Sequence, residues 1–301
     1  MIHAFSLALC LAITIHSEAE GFRLVHHQDG ELDIHEDGKL VGRYMFAHDR
    51  STPEAQHATY KPYLHIIDPA TGTPITKGPG GQFTHHRGIY LGWNRLTTER
   101  GRFDFWHMNG CFQVHQDFSS QLVNDQQTQF TSQINWIDKE GITVIHEWRT
   151  MSFSRTSSPE TIAIVNVSTT LVPTEDLKLN GDPEHSGVQY RPANDVKKEA
   201  TQYLFPKEGQ DPRKDLDLPW VGEQYEIESG TYSVIHMNHP QNPKQTKYSA
   251  YRNYGRFGAF FTQSLKKEEP FDIHYRIIIL KGNIPERSAI EKLYQEWSQR
   301  D

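Results

Sequence analysis

Apolar and polar residues alternate in short runs over most of this chain, and each run is cut by Gly, Asn, Asp or Pro. A period of two belongs to strands with one buried face, and turn residues at every break fold successive strands back on one another. The pattern predicts strands over 21–27, 31–35, 39–45, 60–67, 88–94, 103–107, 111–117, 128–138, 142–153, 161–173, 186–191, 224–227, 232–236, 257–263 and 271–280. Only 285–299 shows helical spacing, with Ile290, Leu293, Tyr294 and Trp297 on one face. About sixteen strands exceed one immunoglobulin-like sandwich. The expectation is an all-β chain: a large two-sheet antiparallel β-sandwich, supersandwich-like, with one C-terminal helix. The charged, proline-bearing stretch 195–219 interrupts strands of the same kind. It reads as a long loop over the mouth of a site, inside a single domain spanning 20–301.

The apolar run 5–15, followed by Ser17-Glu18-Ala19, has the form of a signal peptide over 1–19, so the protein is expected to be exported after cleavage near Ala19. Of the 2 cysteines, only Cys111 lies beyond that point. No intrachain disulfide can then form, and thiolate metal sites of the usual kinds are excluded. Beyond the leader no apolar run approaches the ~20 residues that cross a bilayer, which argues against a membrane enzyme. A net charge of −7 gives no global field for nucleic acid or anionic lipid. The unusual abundance is histidine, whose 17 copies outnumber the 15 Phe and 13 Tyr.

Several segments place those imidazoles where chemistry could occur. In Thr84-His85-His86-Arg87-Gly88-Ile89-Tyr90-Leu91-Gly92-Trp93, alternation puts Ile89, Leu91 and Trp93 toward a core and His86, Gly88, Tyr90 and Gly92 on the other face. The glycine gaps there admit a ligand or another backbone. His85 and Arg87 fall on the core side if the strand reaches that far. Asp104-Phe105-Trp106-His107 sets aromatic rings beside imidazole, as sugar binding favours and as ordinary core filling also would. In 142–153, either His146 or Glu147 can face a site, or Glu147 forms a surface pair with Arg149. In Glu184-His185-Ser186-Gly187-Val188-Gln189-Tyr190-Arg191, one face carries His185, Gly187, Gln189 and Arg191, a poor solvated surface and a good ligand floor. His236-Met237-Asn238-His239 runs into a proline-pinned loop, and His274 and Arg276 share a polar face. Nucleophile-elbow, zincin, P-loop and dinucleotide motifs are absent.

Lys61-Pro62-Tyr63, Gly78-Pro79, His85-His86-Arg87-Gly88, Asp104-Phe105-Trp106-His107, the segment from His236 to Pro243, and Tyr254-Gly255 together resemble the PmoA-like family, labelled "methane oxygenase PmoA". That label implies a membrane copper monooxygenase subunit, at odds with the missing apolar spans. The resemblance instead implies an exported β-rich protein of polysaccharide-degrading bacteria, similar at the level of fold to galactose-mutarotase-like sandwiches.

The leading expectation is an exported carbohydrate-active enzyme, a hydrolase or lyase. His86, His185 and Arg191 are its catalytic residues, and Tyr90, Arg87, Trp106, Gln189 and His239 bind substrate. An imidazole titrates near pH 6.5 and moves protons both ways near neutrality. Equally, His86, His185 and His107 could hold one divalent metal (Zn, Mn, Fe or Ni); no organic cofactor is expected. The alternatives are a metal-free sugar epimerase or mutarotase using His with Glu147 or Glu184, and a non-catalytic carbohydrate-binding protein. The expected partner is a carbohydrate or other small polar ligand, with neither nucleic acid nor membrane insertion.

Overall fold

Turn residues and alternation dictate the pairing seen in the computed structural model, which describes residues 20–156 and 158–299. The expected leader over 1–19 lies outside the described residues. Phe22–His27, Glu31–Glu36 and Lys39–Met45 pair antiparallel in succession. They begin a 9-stranded sheet that continues through Tyr63–Asp68, Ile89–Trp93, Ser186–Tyr190, Phe257–Phe260 and Lys247–Tyr248, with Thr73–Pro74 beside Tyr63–Asp68. An 8-stranded sheet runs Gln202–Leu204, Trp220–Ile227, Gly230–Asn238, Phe271–Lys281, Thr161–Pro173, Thr143–Ser154, Gln127–Ile137, Phe112–Val123. The all-β sandwich and its C-terminal helix, Arg287–Ser298, are as expected.

Three features exceed the sequence reading. A third sheet of 4 short strands is built from Gln263–Leu265, Leu177–Leu179, Leu96–Thr98 and Gly101–Phe103. A short helix, Pro53–Thr59, follows Thr52, whose hydroxyl accepts the Ala55 N–H. That Thr-Pro-Glu start, a capping hydroxyl followed by proline at the first helical position, was a readable signal. Residues 104–107 form a turn where a strand was expected, because the Asp104 carboxylate accepts the backbone N–H groups of Trp106 and His107 (3.0 and 2.8 Å). This competition of an Asp side chain with strand pairing is a turn-making device.

One face of each large sheet fills the space between them. In Gln127–Ile137 every second residue from Thr128 to Trp136 is buried, and the same period holds in Thr161–Pro173. The main core takes residues from both sides of 195–219, including Trp93, Trp136, Val188 and Tyr225. That stretch forms the edge strand Gln202–Leu204 and packs on the 251–253 loop, where Arg213 stacks on Tyr251 at 3.9 Å. It therefore borders the 8-stranded sheet, and its Pro219 carbonyl accepts the Asn238 N–H at 2.8 Å, beside His239 and away from His85, His86, His107 and His185. The terminal helix covers the outer face of the same sheet: Ile290 and Trp297 pack with Trp220, Ile235 and Met237, and the Trp220 indole donates to Glu291 at 3.0 Å. No helix among the described residues is long and apolar enough to cross a membrane.

Inside the sandwich lies one ion pair. Glu147 and Arg149 belong to the buried face of Thr143–Ser154, both 1% exposed, so the expected surface pair is an interior one. The carboxylate accepts from Arg149 Nε and Nη2 (2.7 and 2.8 Å), the Trp136 indole (2.6 Å) and Thr169 (2.7 Å). Removing one partner strands a charge in the core. Glu147→Ala is expected to lower unfolding free energy by about 3–5 kcal/mol, measured by denaturant titration, whereas the Glu147→Ala/Arg149→Met double substitution recovers part of that loss.

Candidate active site

Ile89–Trp93 and Ser186–Tyr190 are buried at every position, so both of their faces are covered. Their register sets Gly92 opposite Gly187 and Tyr90 opposite Gln189. The two faces that alternation singled out thus lie side by side on the outside of the 9-stranded sheet. Protein fills the expected glycine gap. A Cβ on Gly92 would lie 2.2 Å from the Phe105 carbonyl oxygen, and one on Gly187 (φ 84°) would lie 1.9 Å from that of Ala259. The space at Gly92 lets the 104–107 turn lie flat on the sheet, which sets Trp106 against Tyr90 (5.0 Å between rings).

Four imidazoles line this cover. Successive ring centroids are 4.4 Å apart for His86–His85, 4.5 Å for His85–His107 and 5.1 Å for His107–His185. His107 and His185 are oriented by the same local device: Asp104 accepts from His107 Nδ1 and Asp182 from His185 Nδ1, each at 2.8 Å. Both pairs have Asp-x-x-His spacing in an aspartate-made turn, a repeated signal that the sequence analysis missed. Burial pushes both carboxyls up. In each, hydrogen bonds, with the partner imidazole among the donors, outweigh that effect and hold the group below its usual value. An ionised carboxylate only accepts, so Nδ1 of each ring is the donor. The two rings are about one-third exposed, 31% and 33%.

The other two histidines differ. His86 is sealed among Phe83, Tyr254, Trp106 and Tyr90, with Nδ1 buried and unbonded. Burial, then Arg256 and His85, hold it far below the usual imidazole range. His85, expected on the core side, is half-buried beside His107. Burial first, then Lys61 and the neighbouring imidazoles, bring its pKa down to about 2, and its Nε2 is also unbonded.

The expected site residues therefore divide. His185 and His107 meet. His86 makes no recorded ring contact with His185; both instead touch Trp106, at 5.9 and 6.0 Å. Alternation fails for His85 and His86 because both precede the strand, which starts at Ile89. Arg191, Arg87, Gln189, Tyr90 and Trp106 are placed around the cluster yet fully buried, so none presents a free side chain to substrate as expected. Arg191 donates to the carbonyls of Pro192 and Tyr254, Arg87 to those of Thr84, His86 and His57, and Gln189 to that of Ser186. His239 packs on His274 and Trp297 under the terminal helix, away from the expected rim. Glu147 is locked to Arg149, and Glu184 pairs with Arg252. Among the described residues no group of three His, Cys, Asp or Glu side chains is placed to hold a metal ion, so His86, His185 and His107 do not converge as a ligand set.

Sequence reasoning also missed Phe83. Its ring is 40% exposed and tilts over Tyr254 at 4.8 Å, which makes it the accessible aromatic surface beside the histidines. Phe83 and Met108 have φ of 55° and 61°. Bulky residues rarely adopt this left-handed backbone, and such strain gathers at functional sites. The two bracket the histidine-bearing turns.

A family model described as "Family of unknown function (DUF6807)" matches residues 31–295. No curated protein matches the chain. Among solved structures the chain is similar to a mutant of heparan sulfate lyase HepC from Pedobacter heparinus, with 11% identity, a TM-score of 0.43, and coverage of 86% of this chain and 36% of that one. It is also similar to an alpha-galactosidase from Lactobacillus brevis, with 10% identity, a TM-score of 0.38, and coverage of 88% and 39%. The chain spans well under half the length of either structure.

The unfolded His85 ring takes a proton near pH 6.5, the folded one only near 2. Its stability contribution is therefore complete above pH 6.5 and is lost progressively as the pH falls from there toward 2. NMR of the folded protein should show the His85 ring neutral throughout pH 8 to 4, and His85→Asn should flatten the acid limb of the stability curve. Gly92→Ala is expected to cost about 1–3 kcal/mol, seen as a lower denaturation midpoint, because the Phe105 carbonyl must move.

Proposed function

The chain belongs to the DUF6807 family of unknown function, and we propose that it is an exported carbohydrate-active enzyme, a hydrolase or lyase, that moves protons with His107 and His185. The observation that carries this reading is the pair of adjacent imidazoles, each about one-third exposed and oriented by its own aspartate. One Nε2 removes a proton while the other ring, once protonated, returns one to a leaving oxygen. The aspartates favour each imidazolium as it forms, as the carboxylate of a catalytic triad does. Phe83 supplies an apolar face against which a sugar ring can stack, with polar groups at its edge. His85 and His86 are held neutral and do not act as acids; His86, sealed among aromatic rings, packs behind the site.

A sugar epimerase or mutarotase could use the same pair as acid and base. Product analysis separates the readings: a new reducing end or an unsaturated sugar marks bond cleavage, and an inverted centre without cleavage marks epimerisation.

His107→Ala and His185→Ala should each lower kcat by about 10²–10⁴ while the melting temperature moves little, the rings being partly exposed. Asp104→Asn should lower kcat with KM nearly unchanged, by misorienting His107. His239→Ala should leave turnover as it is. Chelation followed by readdition of Zn, Mn, Fe or Ni tests the metal alternative: loss and recovery of turnover would replace acid–base catalysis by metal chemistry.

A further inference from the structure

Lys61, Lys77, Arg87, Arg191 and Arg256 are each buried at 0–1% exposure. Elsewhere the chain meets the cost of a buried cation with a carboxylate, as Arg149 meets Glu147. These five do not. Lys61 Nζ donates to the Trp106 carbonyl at 2.8 Å, and Lys77 to the carbonyls of Gly78 and Gly80. Arg87 and Arg191 bond to backbone carbonyls, and Arg256 to Gln189 at 3.0 Å and Ser249 at 3.4 Å. Among the described residues no ion pair joins any of them to a carboxylate, and the Nε atoms of Arg87, Arg191 and Arg256 have no partner at all.

Three of these charges lie one aromatic ring behind the histidines. Lys61 Nζ and the Arg256 guanidinium are 5.9 and 5.5 Å from the Trp106 ring, which touches His86 and His185. Arg191 is 5.1 Å from the Tyr254 ring, which touches His86 and Phe83. Arg87 and Lys77 tie down the loop that carries Phe83, His85 and His86. Asp104 and Asp182, each bonded to its histidine, offset part of this charge. Burial pushes the Glu223 carboxyl, near Arg191, well up despite Tyr203 and Arg191, and pushes Lys61 well down, so the arginines carry the lasting charge.

We propose that the site selects a sugar bearing an anionic group, a carboxylate or a sulfate, whose charge answers the uncompensated cations behind Trp106 and Tyr254. This rests on the carbohydrate reading above for the sugar, while the demand for an anion stands on the cations alone. Low-dielectric surroundings screen such a field weakly, and it meets solvent at the partly exposed His107 and His185 rings. Burial first, then Arg87 and Arg191, draw Lys77 down to about 7, so it adds little to that charge. The chain as a whole is acidic, so its net charge gives no general attraction for anions.

The test is the melting-temperature shift of the full-length protein at constant ionic strength with glucuronate, glucose 6-sulfate, glucose or acetate. The expected result is half-saturation by an anionic sugar at a concentration at least tenfold below that of glucose, weakening as salt rises. Arg191→Gln and Arg256→Gln, two variants in case one fails to fold, should cut that preference below about threefold. Equal response to glucose and glucuronate, a preference unchanged in a folded variant, or no response to any probe overturns the proposal. If acetate shifts the protein as strongly as the anionic sugars, the anion site stands and the carbohydrate reading falls.

Discussion

The Glu147–Arg149 pair is the interaction on which the two halves of the sandwich depend. It sits in the buried face of the 8-stranded sheet, and Arg149 reaches across to the Pro62 carbonyl (3.2 Å) and to Gln113 (3.3 Å). Gln113 in turn donates to the Leu91 carbonyl at 3.0 Å, in the strand that floors the site. Pro62 precedes the strand Tyr63–Asp68, and its neighbour Lys61 holds the Trp106 carbonyl. One interior ion pair thus fixes the height at which the histidine-bearing cover rests. Such a pair gives little net stability compared with an apolar core, but it tolerates only one arrangement of its partners, because each unmet hydrogen bond in the interior is costly.

The cover is built by two small devices used repeatedly. Glycines on the sheet surface remove the Cβ that would hold a second backbone away, as Gly92 does for Phe105. Aspartates at turn starts take backbone N–H groups and an imidazole three residues on, as Asp104 and Asp182 do. The glycine sets where the loop lies, and the aspartate sets which way its histidine points. Neither needs a long-range bond, so the orientation of His107 and His185 is held locally even if the mouth around them opens.

Electrostatics then divides four chemically identical side chains into two kinds. His85 and His86 lie under the cations and away from water, where a further positive charge is strongly disfavoured. His107 and His185 each sit against a carboxylate and partly in solvent. Rings within 5.1 Å of one another thus occupy two different surroundings, one dry and bordered by cations, the other wet and bordered by carboxylates.

The sequence alone determined the all-β sandwich, its terminal helix, and the sharing of one face by Tyr90 with Gly92 and of another by Gly187 with Gln189, because inside a strand the side-chain direction follows from residue parity; strand pairing then set the two faces side by side. It also marked the histidine-rich segments, since composition and turn residues are visible without coordinates. Which histidines meet was decided by tertiary structure. His85, His86, His107 and His185 all lie in turns just outside strands, where parity carries no information and direction is set by the bonds to Asp104 and Asp182 and by the packing of Trp106. The same holds for Arg87, Gln189 and Arg191: their polarity suggested an open floor, but a loop packed over the glycine gap closed it and turned them inward. Local periodicity specifies a face. Only the long-range contacts that cover that face decide whether its polar groups meet solvent, substrate or backbone.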